Sequence, residues 1–329
     1  MNNSSRKVLV TGGAGFIGSH VSDAYLARGD SVWVIDNLSS GKRENVPAGA
    51  TFVEMDIRDA GVRDLFREVG FDLVNHHAAQ IDVRVSVEDP QYDAQVNLLG
   101  LLNLLEGARE ARTRRFVLVS SGGVVYGEPE LRPTPETAQK LPLSPYGVSK
   151  LASEFYLNYY NSIHGLEYVA LRYGNVFGPR QDPHGEAGVV AIFCNRLLSG
   201  SGLTVFGDGE QTRDYVFVRD VVGANMLVSD LDLGDATKAP LGKAGGLDAF
   251  AFNVGTSRGT SVNRLADILE GASQRKPGRS YEAARPGELR HSMLDTRRIQ
   301  AQGWACRWTL EEGLRETYEH IAKERETTP

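Results

Sequence analysis

Gly12-x-x-Gly15-x-x-Gly18 restricts this 329-residue chain more than any other feature. It lies between a compact apolar run, Lys7-Val8-Leu9-Val10, and a stretch in which Phe16, Ile17, Val21, Tyr25 and Leu26 recur at helical spacing. A strand that ends in a glycine turn and passes directly into a helix is the opening of a βαβ unit. Gly12 permits the sharp turn, Gly15 lets backbone approach a pyrophosphate, and Gly18 lets the helix pack close to the sheet. Phe16 and Ile17 open that helix, whose free N–H groups and positive dipole end suit an anion.

Two aspartates extend the pattern. Asp36 ends the second apolar run (31–35), 18 residues beyond Gly18. A carboxylate there accepts from both adenosine ribose hydroxyls and repels a 2′-phosphate, which favours NAD over NADP. Capping of a turn is its plainer alternative. Asp56 ends the third run (51–55), where it accepts from the adenine amino group or caps the segment starting at Ile57. Asn37 and Ile57 are expected at the same adenosine site. Further runs at 72–76, 115–119 and 167–171 read as strands, with helical stretches at 91–110 and 145–163. Apolar strands separated by helices imply parallel pairing. The expected fold is a Rossmann-type, doubly wound parallel α/β sheet with a smaller mixed α/β C-terminal lobe. Residues 1–174 form the dinucleotide unit and 175–329 mainly the substrate lobe, with a return to the sheet near 214–228. Residues 230–250 read as a surface excursion, and helices are expected near 261–274 and 309–324.

Ser144-Pro-Tyr-Gly-Val-Ser-Lys150 carries the second signal. Spacing of i, i+4 puts Tyr146 and Lys150 on one helical face. A phenol is a poor base at neutral pH, and a nearby ammonium favours the phenolate. Bringing its pKa near neutrality takes about 4 kcal/mol of differential stabilisation. Tyr146 would then move a hydroxyl proton while hydride passes to or from a nicotinamide.

TGGAGFIG, Asp36, HHAAQIDVRVS, SSGGVVYG, YGVSK, RYGNVFGPRQ and GDGEQTRDYVFVRDV occur in this order. Together they resemble the extended short-chain dehydrogenase/reductase family, and within it the UDP-glucose 4-epimerases and related nucleotide-sugar epimerases. The resemblance implies that Tyr146 is the base and Lys150 its partner on the nicotinamide ribose. It implies that Asn97 and Tyr173 line the cofactor and that Asn175 contacts the sugar diphosphate. Arg213 and Arg285 match diphosphate-binding arginines, and Glu288 an acidic contact to the uridine ribose. Forked guanidinium groups suit that charge independently; a salt bridge to Asp214 or Asp220 is the plainer role for Arg213. Counting from Arg285 places the small Ser292 where a bulky residue would exclude an N-acetyl group. One position departs from the family pattern. A Ser or Thr usually stands four residues before Tyr126, and here that residue is Gly122. Losing such a donor typically costs roughly 10²–10³ in rate, so the adjacent Ser121 is expected as the catalytic hydroxyl, with a water in its place as the alternative.

The implied reaction is C4 epimerisation of a UDP-sugar through a transient 4-keto intermediate. UDP-glucose/UDP-galactose is the main pair, beside UDP-GlcNAc/UDP-GalNAc. UDP-glucuronate epimerisation, or other nucleotide-sugar oxidoreduction, is the alternative. A non-catalytic NAD-binding regulator is the reading from another class. Gly123 and Val124 stand where dehydratases and decarboxylases of this family carry acidic groups. A homodimer is implied, with Phe155, Tyr156, Tyr159 and Tyr160 at packing or interface positions. Composition narrows the rest. A formal charge of -6 disfavours general nucleic-acid binding. Two cysteines, Cys194 and Cys306, fit a reducing cytoplasm. No apolar run suits a signal peptide or a membrane span. The histidines show no metal-ligand spacing.

Overall fold

The computed structural model describes residues 5–182, 188–234, 246–284 and 289–327. Seven strands make one sheet: β1 (Lys7–Thr11), β2 (Ser31–Asp36), β3 (Thr51–Glu54), β4 (Leu73–His76), β5 (Arg115–Ser121), β6 (Glu167–Tyr173) and β7 (Ala251–Val254). Their order is β3-β2-β1-β4-β5-β6-β7, and every pairing is parallel. The order reverses between β1 and β4, where an open parallel sheet leaves a crevice at its carboxyl ends. Four helices pack on this sheet: α1 (Phe16–Ala27), α2 (Gly122–Val125), α3 (Pro145–His164) and α4 (Val218–Asp230).

Apolar side chains cover both faces of the sheet. Val8, Val10, Val32, Val34 and Val117 face one layer with Val21, Tyr25 and Val221. Leu9, Ile35, Val74, Phe116 and Leu118 face the other with Phe66, Leu104 and Leu157. Burial on both faces explains why these strands read as continuous apolar runs. The stretch at 90–110 is helical throughout, with a wider π turn at Gln95–Leu99.

Residues 214–228 meet the dinucleotide unit as a helix. Tyr215–Phe217 pairs with Asn175–Phe177 outside the large sheet. α4 then packs its Val221, Ala224 and Val228 into the core beside α1. The seventh strand is β7 instead, a four-residue run that periodicity did not single out. The remaining lobe holds short pairs, Thr212–Arg213 with Thr260–Ser261 and Leu203–Phe206 with Arg279–Glu282. Helices Val262–Ser273 and Leu310–Thr327 stand where periodicity places them. Residues 235–245, within the expected excursion, lie outside the described residues.

Candidate active site at the carboxyl ends of the strands

Register sets the height of each site residue. Thr11 pairs with His76, His76 with Leu118, and Leu118 with Ala170. β5 and β6 therefore overshoot this row, and Ser121 pairs with Tyr173 beyond it. The glycine turn after β1 and the overshooting end of β5 border one crevice.

The turn is close-packed backbone. Gly12 has φ +67°, and a Cβ there would fall 2.6 Å from Ala78 N. A Cβ on Gly18 would fall 2.3 Å from Gly12 O. Gly15 caps α1 without a side-chain bond, and a Cβ there would meet only Gly12 O, at 3.2 Å. The first N–H groups of α1 thus face space that a side chain does not fill, which fits a pyrophosphate. Phe16 and Ile17 are half-buried behind it against the apolar clusters.

Asp36 braces this turn. Its Oδ2 accepts from Ala14 N (3.0 Å) and its Oδ1 from Leu38 N (2.9 Å). Burial pushes its pKa above the ordinary carboxylate value. Each oxygen keeps a lone pair for a ribose hydroxyl. Asn37 Nδ2 donates to Asp56 Oδ2 (2.9 Å). Asp56 also takes the Arg58 guanidinium at 2.8 Å, which holds its pKa down to about 2. Ile57 is buried and packs on Gly100. Asn97, in the π turn, is clasped to the segment after β4: it accepts from Gln80 N and donates to Gln80 O, both at 2.9 Å. Tyr173 ends β6, but its hydroxyl accepts from Asn225 Nδ2 (2.6 Å) in the core. What Tyr173 presents at the strand end is backbone.

α3 begins where chemistry needs it. Ser144 Oγ caps it, accepting from Gly147 N (3.1 Å), Pro145 takes the first helical position, and Gly165 ends it at φ +71°. Tyr146 therefore lies in the first turn. Lys150, one turn on, donates from Nζ to Val119 O of β5 (3.0 Å), and Nζ sits 5.6 Å from the Tyr146 ring centroid. Both residues are buried. Ser121 ends β5 and precedes α2, yet its hydroxyl makes no cap bond. His77, beside Gly12, has both ring nitrogens buried with no protein partner among the described residues. Burial, helped by the Lys150 charge, pushes its pKa down to about 3.

Three buried carboxylates for which the sequence predicts no site role hold this frame. Glu154 of α3 accepts from Arg172 of β6 (2.6 Å) and from Ser120 Oγ (2.6 Å), tying helix to strands. Asp93 accepts from Asn97, Gln80 and Ser149, which ties α3 to the segment after β4. Asp214 accepts from Thr256 N and Oγ1, Ser257 N and Leu294 N. A carboxylate in sequence shows its charge but not its partners; only the i, i+4 step from Lys150 to Glu154 hints at a shared face.

The residues that the resemblance assigns to the substrate are more scattered. Asn175 is exposed, and its N donates to Asp214 O (2.7 Å). Arg213 is half-buried, and its Nη1 donates to Thr212 O (3.0 Å). Ser292 is buried one residue after the Thr212–His291 bridge. Arg285 and Glu288 lie outside the described residues. No cluster of three metal-ligating side chains occurs among the described residues, and none of their helices is long and apolar enough to cross a membrane.

The family described as the NAD dependent epimerase/dehydratase family matches residues 8–238, the span that carries the glycine turn, Asp36, Tyr146 and Lys150. The chain belongs to that family. It is 44% identical over 319 residues to the UDP-glucose 4-epimerase of Mycolicibacterium smegmatis, covering 95% of this chain and 97% of the relative. The Thermotoga maritima UDP-glucose 4-epimerase, solved with UDP-glucose, superposes with a TM-score of 0.90 at 43% identity, covering 97% of this chain and 99% of that one. The Thermus thermophilus UDP-glucose 4-epimerase, solved with NAD, gives 0.86 at 46% identity, covering 96% and 98%. The family's NAD dependence agrees with the cradle: the open face of Gly15, the free turn of α1 and Asp36 fit the group.

Proposed function

We propose that this protein interconverts UDP-glucose and UDP-galactose by epimerisation at C4, using a retained NAD. The observation that carries this is Lys150, pinned to the end of β5 by Val119 O and set beside the Tyr146 ring. The names and likeness of the relatives support the sugar. The bound nicotinamide supplies a hydride acceptor and donor at C4. Tyr146, held as the phenolate that the neighbouring ammonium favours, takes the proton of the C4 hydroxyl and becomes the neutral phenol. Ser121 donates its hydroxyl hydrogen to the sugar O4, where charge develops. Tyr146 returns the proton after the 4-keto sugar has turned about its diphosphate link. Arg213 and Arg285 hold that diphosphate, Asn175 contacts it, and Glu288 accepts from the uridine ribose. Residues 1–174, joined by α4 and β7, serve the cofactor, and most of 175–329 serves the nucleotide-sugar.

The protein acts in the cytoplasm as a homodimer. Val148, Phe155, Tyr159 and Ile163 line one exposed face of α3, with Leu99 exposed nearby in the helical stretch beside it. Tyr160 belongs instead to the core, its hydroxyl donating to Glu106. Light scattering on the purified protein reads the dimer.

The deciding experiment is turnover without added NAD, with UDP-galactose, UDP-GlcNAc and UDP-glucuronate supplied separately and C4 epimers resolved by chromatography. Product from UDP-galactose supports the reading. The UDP-GlcNAc arm reads whether the small Ser292 admits an N-acetyl group. Product from UDP-glucuronate alone moves the assignment to that sugar. No product from any, even with NAD, overturns catalysis on UDP-sugars in favour of a non-catalytic role.

A further inference from the structure

Leu294 is a buried apolar residue that no motif marks. It lies in a segment that crosses from the substrate lobe to the end of β5. Ser292 N donates to Thr212 O (3.1 Å), Leu294 N to Asp214 Oδ2 (3.1 Å) and Asp295 N to Thr134 O (2.9 Å). These bonds to separate stretches of chain fix the backbone on both sides of Leu294. Its side chain enters a small cluster with Val125 and Tyr126, against which Val124 and Leu151 pack.

The cluster is tight at a telling place. A Cβ at Gly122 would fall 2.6 Å from Leu294 Cδ1, 2.8 Å from Cδ2 and 3.3 Å from Arg172 O. Farther along α2, a Cβ at Gly147 of α3 would fall 3.0 Å from Val124 O and 2.9 Å from Pro142 Cβ. α2 is therefore gripped between Leu294 and the first turn of α3. That turn carries Tyr146, and Ser121 is the residue from which α2 starts. Gly122 lies outside the left-handed region, so its backbone does not itself demand glycine. Alanine in such a conformation ordinarily raises stability.

We propose that Leu294 is a positioning residue, filling the space of a side chain at position 122, wedging α2 against α3, and so fixing Ser121 relative to Tyr146. This rests on the reading of Tyr146 and Ser121 as catalytic. It also accounts for glycine at a position where the family usually carries a hydroxyl: Leu294 occupies the room, and the hydroxyl is supplied by the preceding residue. The wedge links the substrate lobe, through the neighbouring Ser292 and Asp214, to the reacting end of β5.

The test compares G122A, L294A, L294V and G122A/L294A with wild type, by thermal unfolding and by kcat and KM on the sugar nucleotide that wild type turns over. G122A is expected to lower Tm. It is also expected to lower kcat by about tenfold or more, because small misplacements of reacting groups are expensive in rate. L294A and L294V are expected to lower kcat by about tenfold and about threefold respectively, with KM within about twofold of wild type. In the L294A background the sign reverses, and G122A raises Tm. L294V removes the δ-carbons that meet position 122, so G122A/L294V gives the same reversal if L294A does not fold. A rise in Tm for G122A in the wild-type background, or equal shifts in both backgrounds, overturns the wedge. A fall in Tm for L294V with kcat unchanged reduces Leu294 to packing and overturns the positioning role. The Tm reversal is read without substrate, so an inactive wild type would sink the proposed function and leave the wedge to its own result.

Discussion

The glycine turn after β1 and the crossing segment around Leu294 both make one piece of chain fit closely against another, at opposite ends of the same crevice. At the turn the close partners are backbone atoms: Ala78 N for Gly12 and Gly12 O for Gly18. Backbone cannot be trimmed, so Gly12 and Gly18 are obligatory, and with Gly15 they form a motif within one short stretch. At Gly122 the close partner is a side chain from far along the sequence, Leu294. A leucine can be replaced, so the constraint is shared between two distant residues and neither looks special alone. The same contrast separates the two halves of the molecule. The half that carries the large sheet is built of local βα units, whereas the C-terminal lobe is stitched by contacts such as Thr212–His291, Thr134–Leu294 and Asp214–Thr256.

The largest expected effect tests where the chemistry sits in that contrast. Tyr146→Phe removes one oxygen from the first turn of α3. It should lower kcat about 10³-fold, within the range of a lost general acid–base group. NAD content after purification and Tm should stay at wild-type values. A loss below about tenfold would place the proton transfer on another group.

The second prediction sets the halves against each other in stability. Asp214 is fully buried, and its carboxylate serves three backbone N–H groups and one hydroxyl. Asp214→Ala strands those donors, and each buried unpartnered group costs about 1–3 kcal/mol. We expect a loss of roughly 3 kcal/mol or more in chemical denaturation. Asp56→Ala, which breaks a part-exposed ion pair with Arg58, should cost under about 1 kcal/mol. Equal losses would mean that the lobe depends on distant contacts no more than the dinucleotide half does.

How far each part was legible comes down to the same physics. β1, β2 and β4 to β6 show as largely apolar runs because they are buried on both faces, whereas β3, at the edge, shows only through Phe52 and Val53. β7 is four residues long and reaches the sheet only by pairing with β6; nothing local announces that partner. The shared face of Tyr146 and Lys150 was legible because helix spacing acts within one turn; the Ser144 cap was not singled out. The placement of Tyr173 in sequence said nothing of its hydroxyl, which Asn225 of α4 takes into the core. Asp93, Glu154 and Asp214 look like ordinary surface charges until the fold brings their donors.

The smallest effect is also the most local, and pH gives it a sign. In the unfolded chain the Asp56 carboxyl takes up its proton near the ordinary 3.8; in the folded chain the Arg58 and Asn37 bonds hold that down to about 2. Between those values the unfolded state carries more protons, so the Asp56 contribution grows as pH rises. It is complete above the unfolded value and disappears as pH falls through the folded one. Asp56→Asn should therefore lie below wild type near neutral pH by less than about 1 kcal/mol in urea unfolding. That gap should close as the two are compared down to about pH 2. A gap that persists unchanged in acid would mean that the Asn37–Asp56–Arg58 brace acts through shape rather than charge. The β2–β3 end of the crevice would then share the character of the Leu294 wedge.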